Sequence, residues 1–512
     1  MTRMKKNSLI IIILMIGMQV TAQIDTSVKT LIVFFDGLRP DYITPELMPN
    51  VYAFSKRGSY GKKHHSVFPT VTRVNSSSYS TGSYPGTNGI MGNTVYFPQV
   101  NPVKGLNTGD ASELNKIAIA TNDRLLTSVS LGEALETVGQ RMMVFSSGSS
   151  GQALLQNHKV GNGAIVNTSM ILPASLKEQL VNALGPIPPN GKPNSAQHKW
   201  ITDALLKFGF AKNGPLVNAI WYSDPDGAAH SDGIGSPAAN ASIKSVDEQF
   251  GRIIQTLDEK GLTNRTNIII STDHGFVTKA GKLGVADFLI QKGFKKDKES
   301  DDIVAAEGAL YVKDHDPSVI KKVVAALQLE EWVGAIFTKA DKAGSMKGWV
   351  PGTLSFDAIH WNHTERAADI LVDENWNDAK NNTGYAGTSY ARGVAGHGGF
   401  SPYEVHIALL ASGPSFKKSF EGNLPTSNVD IAPTVLAIHR IPAPVTMKGR
   451  VFAELLANAK SQQAAVKQEK VETSTVVEGI TYKLSLDVST VGKYRYINYA
   501  KTERITQQST GK

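Results

Sequence analysis

The 512-residue chain carries 53 Lys and Arg against 45 Asp and Glu, a formal charge of +8 at neutral pH, with 41% hydrophobic and 19% charged residues. This balance excludes a disordered chain, and without a long Lys/Arg block it gives no basis for a stable nucleic-acid complex. There is no cysteine, which excludes disulfides and thiolate metal sites in a chain long enough for a large core.

At the N-terminus, Arg3, Lys5 and Lys6 precede the apolar run Leu9 to Met18, and Val20-Thr21-Ala22 supplies small residues before Gln23. This three-part pattern predicts a signal peptide over residues 1–22, cleaved after Ala22; a buried N-terminal helix is the plainer alternative. Removing those three basic residues takes the formal charge from +8 to +5. No second apolar run approaches the roughly 20 residues that cross a bilayer. The mature protein is therefore expected to be exported, periplasmic or secreted, with no transmembrane segment.

Thr30 to Phe35 (TLIVFF) is a continuous apolar run of the kind that forms a strand buried on both faces of a parallel sheet. Asp36-Gly37 follows it, and carboxyl ends of such strands are where ligands bind, so Asp36 is either a turn residue or a candidate ligand. Next comes His65 to Asn93. Phe68-Pro69 ends an extended stretch, and Val74 to Ser80 suits a short helix stopping near Gly82 and Pro85. That places Thr72 at a helix start, where backbone N–H groups and the positive dipole end favour an anion. Taken alone, Thr72 is better explained as an N-cap. Gly86 to Asn93 reads as a glycine-rich loop in which Asn88 and Asn93 are possible left-handed turn residues.

Residues 94–200 mix loops with helical patches, among them Leu125 to Thr137. SSGSSG at 146–151 lacks the Lys-Ser/Thr ending of a phosphate-binding loop and reads as a flexible loop without catalytic meaning. Leu216 to Tyr222 is then a strand, followed by DPDGAAH with Asp226 and His230. A helix follows with Ile243, Val246, Phe250, Ile253, Ile254 and Leu257 on one face, ended by Gly261. Asn267 to Ser271 is the next strand, closed by Thr272-Asp273-His274-Gly275. This is a parallel crossover unit, so Asp226/His230 and Asp273/His274 should leave the same sheet edge.

Residues 276–390 contain further helical patches and a Trp-, Asn- and Gly-rich insertion around Trp349 to Gly384. His397 lies in a glycine-rich turn, 393–399, that lets the backbone pack closely and aims the imidazole inward. His406 to Ala411 is another buried strand, and Asp430 to His439 a helix with proline in its first turn. Ala457 to Glu472 reads as a polar linker or surface helix. Ile480, Tyr482, Leu484, Leu486 and Val488 alternate as in a half-buried strand partnered by Lys493 to Tyr499, and such a ribbon should pack on the main body. The predicted organisation is thus a signal peptide (1–22), one catalytic domain (23–456) with insertions around 94–200 and 276–390, and a linker with a small β extension (457–512).

The polar residues closing these strands are Asp36, Asp226, His230, Asp273, His274 and His397, an oxygen and nitrogen donor set that suits Zn²⁺ and admits other divalent ions. Each alone has a plainer reading as a turn or a hydrogen-bonded residue, and the other histidines, including His64, His65, His360 and His363, are read that way. Together, three carboxylates and a threonine alkoxide balance two dications. Bound cations would lower the pKa of a threonine hydroxyl and hold the entering and leaving oxygens in line, which suggests phosphoryl transfer through a phosphothreonine.

The segments FFDG (34–37), FPTVTRVN (68–75), YPGTNGIMGN (84–93), PDGAAH (225–230), TDHG (272–275), GHGG (396–399) and MKGR (447–450) resemble those of the nucleotide pyrophosphatase/phosphodiesterase family of the alkaline phosphatase superfamily, over roughly Thr30 to Leu456. The resemblance implies an α/β fold, with a mostly parallel central sheet flanked by helices and inserted cap segments, and a site with two Zn²⁺. One ion would be held by Asp36, Thr72, Asp273 and His274, the other by Asp226, His230 and His397. Thr72 would be the nucleophile, and Asn93 with the backbone N–H of Arg73 would hold a phosphoryl oxygen. The family usually follows its threonine with an aromatic residue and Pro-Asn-His, whereas this chain reads Arg73-Val74-Asn75-Ser76. Arg73 either favours a second anionic group on the substrate or points to solvent. The implied activity is hydrolysis of phosphodiester or pyrophosphate bonds in a small-molecule ester, a nucleotide among the candidates. A phosphomonoesterase or phosphonate hydrolase on the same site is the alternative, and a binding protein that has lost turnover is the reading from another class. The oligomeric state is not legible in the sequence.

Overall fold

A computed structural model describes residues 24–459 and 464–506; the expected signal peptide lies outside the described residues. The strands of the main sheet are β1 (Lys29–Phe35), β2 (Ser59–His65), β3 (Met142–Ser146), β4 (Ala164–Asn167), β5 (Ile171–Leu172), β6 (Val217–Tyr222), β7 (Thr266–Ser271), β8 (His406–Ser412) and β9 (Phe420–Gly422). Their order is β9-β2-β8-β7-β1-β6-β3-β4-β5, with the short strand Thr426–Ser427 also pairing with β2. The five central strands, β7 through β4, are parallel; β8 runs against both its neighbours.

β1 is central and buried because it is apolar at every position from Leu31 to Phe35. Ile32 and Phe34 face one helical layer, while Leu31, Val33 and Phe35 face the other. The first layer includes α2 (Thr72–Thr81) and α3 (Ser150–Gln156); the second includes α1 (Pro49–Arg57), α4 (Ser195–Ala204) and α6 (Pro237–Glu259), which follows the short α5 (Asp226–Asp232). Phe34 stacks on Trp221 of the neighbouring strand with ring centroids 4.5 Å apart, worth about 0.5–1.5 kcal/mol beyond the burial of each ring. β6, α6 and β7 form the predicted crossover, with β1 seated between its two strands. α6 buries Ile243, Val246, Phe250, Ile253 and Leu257, the stripe the sequence marks.

The helical patches expected in residues 276–390 include helices Val285–Gln291 and Pro317–Gln328, and residues 277–396 also form two small sheets of four and five strands that the sequence reading did not anticipate. One expectation is corrected. At the C-terminus, Val466 to Glu472 is neither linker nor helix. It belongs to β10 (Val466–Val477), which pairs with β11 (Ile480–Val491), itself paired with β12 (Tyr494–Thr506). Tyr482, Leu484, Leu486 and Val488 of β11 join the main hydrophobic core, so this sheet packs on the body. Its charged edge strand β10, rich in Lys and Glu, discourages pairing with another chain. No helix of the described residues is long and apolar enough to cross a membrane.

Candidate active site

Three adjacent parallel strands deliver three carboxylates to one edge. Asp36 follows β1, Asp273 follows β7, and Asp226 opens α5 just beyond β6, with its N–H donating to the Asp36 carbonyl at 3.0 Å. Gly37 turns the chain with a left-handed φ of 72°, and a Cβ there would lie 2.9 Å from Phe276; its N–H donates to Asp273 Oδ1 at 3.0 Å. The one-turn spacing in α5 puts His230 Nε2 3.2 Å from Asp226 Oδ1. His397 arrives from the glycine-rich turn, also with Nε2 3.2 Å from Asp226 Oδ1. His274 Nε2 lies 3.0 Å from Asp273 Oδ2 and 3.6 Å from Asp36 Oδ1.

All three imidazoles use Nδ1 against a backbone carbonyl: His230 on Ala395 at 3.0 Å, His274 on Gly275 at 3.0 Å and His397 on Thr70 at 2.8 Å. A carbonyl only accepts, so Nδ1 carries the hydrogen and Nε2 faces the carboxylates, as a donor to them when the ring is protonated and as a lone pair free for a cation when it is neutral. Without a cation, burial opposes the His274 charge, but the Asp273 and Asp226 charges outweigh it and raise His274. On the carboxylates, Trp221 Nε1 donates to Asp36 Oδ2 at 3.0 Å, yet Asp36 Oδ1, Asp226 Oδ1 and Asp273 Oδ2 are buried without a hydrogen-bond partner. Lone pairs on nitrogen and oxygen that face one another at about 3 Å are what a divalent cation satisfies. Two compact groups result, Asp226/His230/His397 and Asp36/Asp226/His274, and Asp226 belongs to both.

Burial pushes the Asp36 carboxyl well above the usual range, and the nearby Asp273 and Asp226 push it further. Burial opposes the Asp226 charge too, but His230 and His397 hold that carboxyl well below its usual value. At Asp273 burial is outweighed by His274 and the Gly37 N–H, and the carboxyl is lowered. Burial, with His274 alongside, lowers His397 to about 3.

Thr72 opens α2, is 5% exposed, and sets Oγ1 3.3 Å from His274 Nε2. The helix ends at Gly82 as expected. Arg73 donates its backbone N–H to Asn93 Oδ1 at 3.1 Å, which leaves the Asn93 amide N–H groups for another acceptor. Neither Asn88 nor Asn93 is left-handed; Gly89 takes that conformation instead. The Arg73 side chain lies over Gly109, with Nε buried and unpartnered.

Two clefts reach this centre. One, about 400 Å³, is lined by Asp36, Thr72, Arg73 and Asp226; the other, about 500 Å³, by Asn93, His230, Lys279 and His397. A larger cavity of about 710 Å³ lies at the opposite end of the parallel strands, near Phe54 and Phe416, and contains none of these groups. The first cleft corrects the reading of SSGSSG: Ser146 ends β3, Ser149 caps α3 by accepting from the Gln152 N–H, and Ser147 to Ser149 form an ordered turn on the cleft wall.

Three further contributors escape the sequence reading. Lys279 stands beside His230 in the second cleft. Asn75, on α2, and Asn428 form a buried amide pair behind it. Asn75 could have been found from its place one turn beyond Thr72. The other two depend on pairings between distant segments and leave no local signal.

A family model described as type I phosphodiesterase / nucleotide pyrophosphatase matches residues 30–391. Among curated proteins the chain is similar to the bis(5'-adenosyl)-triphosphatase enpp4 of Xenopus laevis, 23% identical over 418 residues, covering 80% of this chain and 77% of the relative. It is also similar to ectonucleotide pyrophosphatase/phosphodiesterase family member 3 of Mus musculus, 26% identical over 244 residues, but that match covers 47% of this chain and 24% of the relative. In fold it resembles murine ectonucleotide pyrophosphatase/phosphodiesterase 5, solved as an inactive variant with AMP, at a TM-score of 0.58 and 18% identity over 84% of this chain and all of that one. A mutant of alkaline phosphatase PafA gives a TM-score of 0.63 at 16% identity, covering 84% of this chain and 98% of that one. With the family model spanning most of an alkaline phosphatase-like α/β fold, the chain belongs to the type I phosphodiesterase / nucleotide pyrophosphatase family, whose members hydrolyse phosphoric esters.

Proposed function

We propose that this protein is an exported phosphodiesterase or nucleotide pyrophosphatase that works through two divalent cations, Zn²⁺ by its ligand set, and a phosphothreonine at Thr72. The observation that carries this reading is the juxtaposition of Thr72 Oγ1, 3.3 Å from His274 Nε2, with three buried carboxylate oxygens that lack partners. Asp36, Thr72, Asp273 and His274 would hold one ion and Asp226, His230 and His397 the other, with Asp226 close enough to serve both. Cations bound there supply Lewis acidity toward the phosphoryl oxygens and a lowered pKa for the threonine hydroxyl.

The chain's own residues do the rest. Thr72 attacks phosphorus from the helix N-terminus, where the dipole of α2 favours the anionic group. Asn93, its carbonyl fixed by the Arg73 N–H, turns its amide toward a phosphoryl oxygen. The bond from phosphorus to the departing oxygen breaks as the bond to Thr72 forms, and water then cleaves the Thr72–phosphorus ester, releasing a phosphate monoester, a nucleoside monophosphate where the substrate is a nucleotide, and restoring the threonine hydroxyl. A relative named as a bis(5'-adenosyl)-triphosphatase and a neighbour solved with AMP support a nucleotide as substrate. Export rests on the pattern of residues 1–22 and on relatives named as ectoenzymes; the catalytic domain is assigned to 23–456.

A phosphomonoesterase or phosphonate hydrolase is the second reading, favoured by Arg73, whose unpartnered Nε beside Thr72 suits a substrate with a further negative charge. Rates on bis-p-nitrophenyl phosphate, p-nitrophenyl phosphate and phosphonoacetate decide. The diester should be preferred; a preference of orders of magnitude for the monoester or phosphonate overturns the first reading.

A further inference from the structure

The candidate centre is a row. Thr72 stands at one end, 3.3 Å from His274; the His274 and His397 rings stack with centroids 3.4 Å apart; His230 follows at 5.1 Å from His397. Lys279 stands beside His230, in the cleft that His230 and His397 line. Its strand, Val277–Gly281, pairs antiparallel with Ala395–Gly396, which carries it alongside the segment leading into His397. A Cβ at Gly396 would fall on Lys279 Cε and Nζ and lie 3.2 Å from His230 Cε1. Glycine before the histidine is therefore what admits an ammonium group next to this imidazole. Among the described residues the ammonium has no ion pair within 4.0 Å, and it borders the 500 Å³ cleft together with Asn93 and His397.

In-line displacement puts the leaving oxygen on the side of phosphorus away from the nucleophile. With Thr72 at one end of the row, that side is where Lys279 waits. We infer that Lys279 is a catalytic residue that donates to the leaving-group oxygen, an inference that rests on the phosphodiesterase reading above. As the phosphorus–oxygen bond breaks, its electron pair moves onto the departing oxygen, and a Lys279 N–H donates to that charge. When the departing alkoxide is more basic than the amine, the proton goes with it, and solvent reprotonates the lysine; the Thr72 proton is lost to solvent. A structural alternative exists, because Glu374 and Glu404, both kept toward their neutral forms by burial, feel the Lys279 charge.

The experiment separates these roles by leaving-group basicity. Lys279→Met and Lys279→Gln are prepared in the full, metal-loaded chain and assayed on methyl aryl phosphates whose leaving groups run from p-nitrophenol to phenol. A leaving-group role predicts that the loss in kcat/KM on the phenyl ester exceeds that on the p-nitrophenyl ester by about tenfold or more, out of the roughly hundred- to ten-thousandfold that acid catalysis contributes. Equal losses across the series in both variants, or no loss, overturn the assignment while leaving the phosphodiesterase reading intact. Failure of the wild-type protein to cleave any of these diesters overturns both.

Discussion

Asn428 donates through Nδ2 to the side-chain carbonyl of Asn75 at 3.0 Å and to the backbone carbonyl of Thr272 at 3.0 Å, with both asparagines fully buried. Asn75 lies on α2 just past Thr72, and Thr272 precedes Asp273 and His274. One amide therefore ties α2, which Thr72 opens, to the loop carrying two candidate ligands. Asn428→Ala should cost about 1–3 kcal/mol, because it strands buried polar groups, and should lower kcat as Thr72 and His274 lose their common support. Urea denaturation and steady-state rates check this, and unchanged kcat in a destabilised variant would refute the positioning role.

Thr72→Ala should reduce hydrolysis of bis-p-nitrophenyl phosphate by about a thousandfold or more, since the proposed nucleophile would have no substitute. Metal content should remain, as the carboxylates and imidazoles are untouched. Persisting turnover would remove the threonine from the mechanism.

Elemental analysis should find two divalent ions per chain, and chelation should abolish activity and lower the melting temperature by several degrees, as three buried carboxylate oxygens lose their counter-cations. Asp226→Asn should lose more metal than Asp36→Asn, because Asp226 faces both groups. Equal losses would argue against a shared role.

His64 and His198 are both 0% exposed, and burial lowers each to about pH 3, below the ordinary 6.5. Their folded values are depressed, so the stability they contribute is full above pH 6.5 and is lost as pH falls toward 3. Each contributes a slope of about 1.4 kcal/mol per pH unit across the lower part of that window. Urea midpoints at pH 7, 6 and 5 should fall accordingly, and His64→Gln should flatten the dependence. An unaltered slope would count against the burial account.

Ending the chain at Ala459 should yield an insoluble or poorly folded product, because Tyr482, Leu484, Leu486 and Val488 belong to the main core. The buried Asp430 also loses the Tyr496 hydroxyl that donates to it at 2.9 Å. A soluble, active truncation would mean that the C-terminal sheet is dispensable to the catalytic domain.

The parallel strands were legible because burial on both faces makes them continuous apolar runs, as at Thr30 to Phe35 and Asn267 to Ser271. Asp36, Asp226, His230, Asp273, His274 and His397 could be gathered because each lies just past such a strand or inside a glycine-rich turn. The small sheets of residues 276–396 were hidden by strands often only two to five residues long. β10 was hidden because VKQEKVETSTVV is an edge strand with little burial to impose alternation. Lys279 owes its place to pairing with a segment that follows far along the chain, and no window of sequence contains both.

β1 lies between β6 and β7, so each of its neighbours is synthesised long after it. A polypeptide emerging from its N-terminus holds the sticky TLIVFF segment without a companion until residue 222, and its second flank stays open until residue 271. Such delayed pairing slows folding and invites association between unfinished chains, so production of this protein should be sensitive to chaperone supply and to growth temperature.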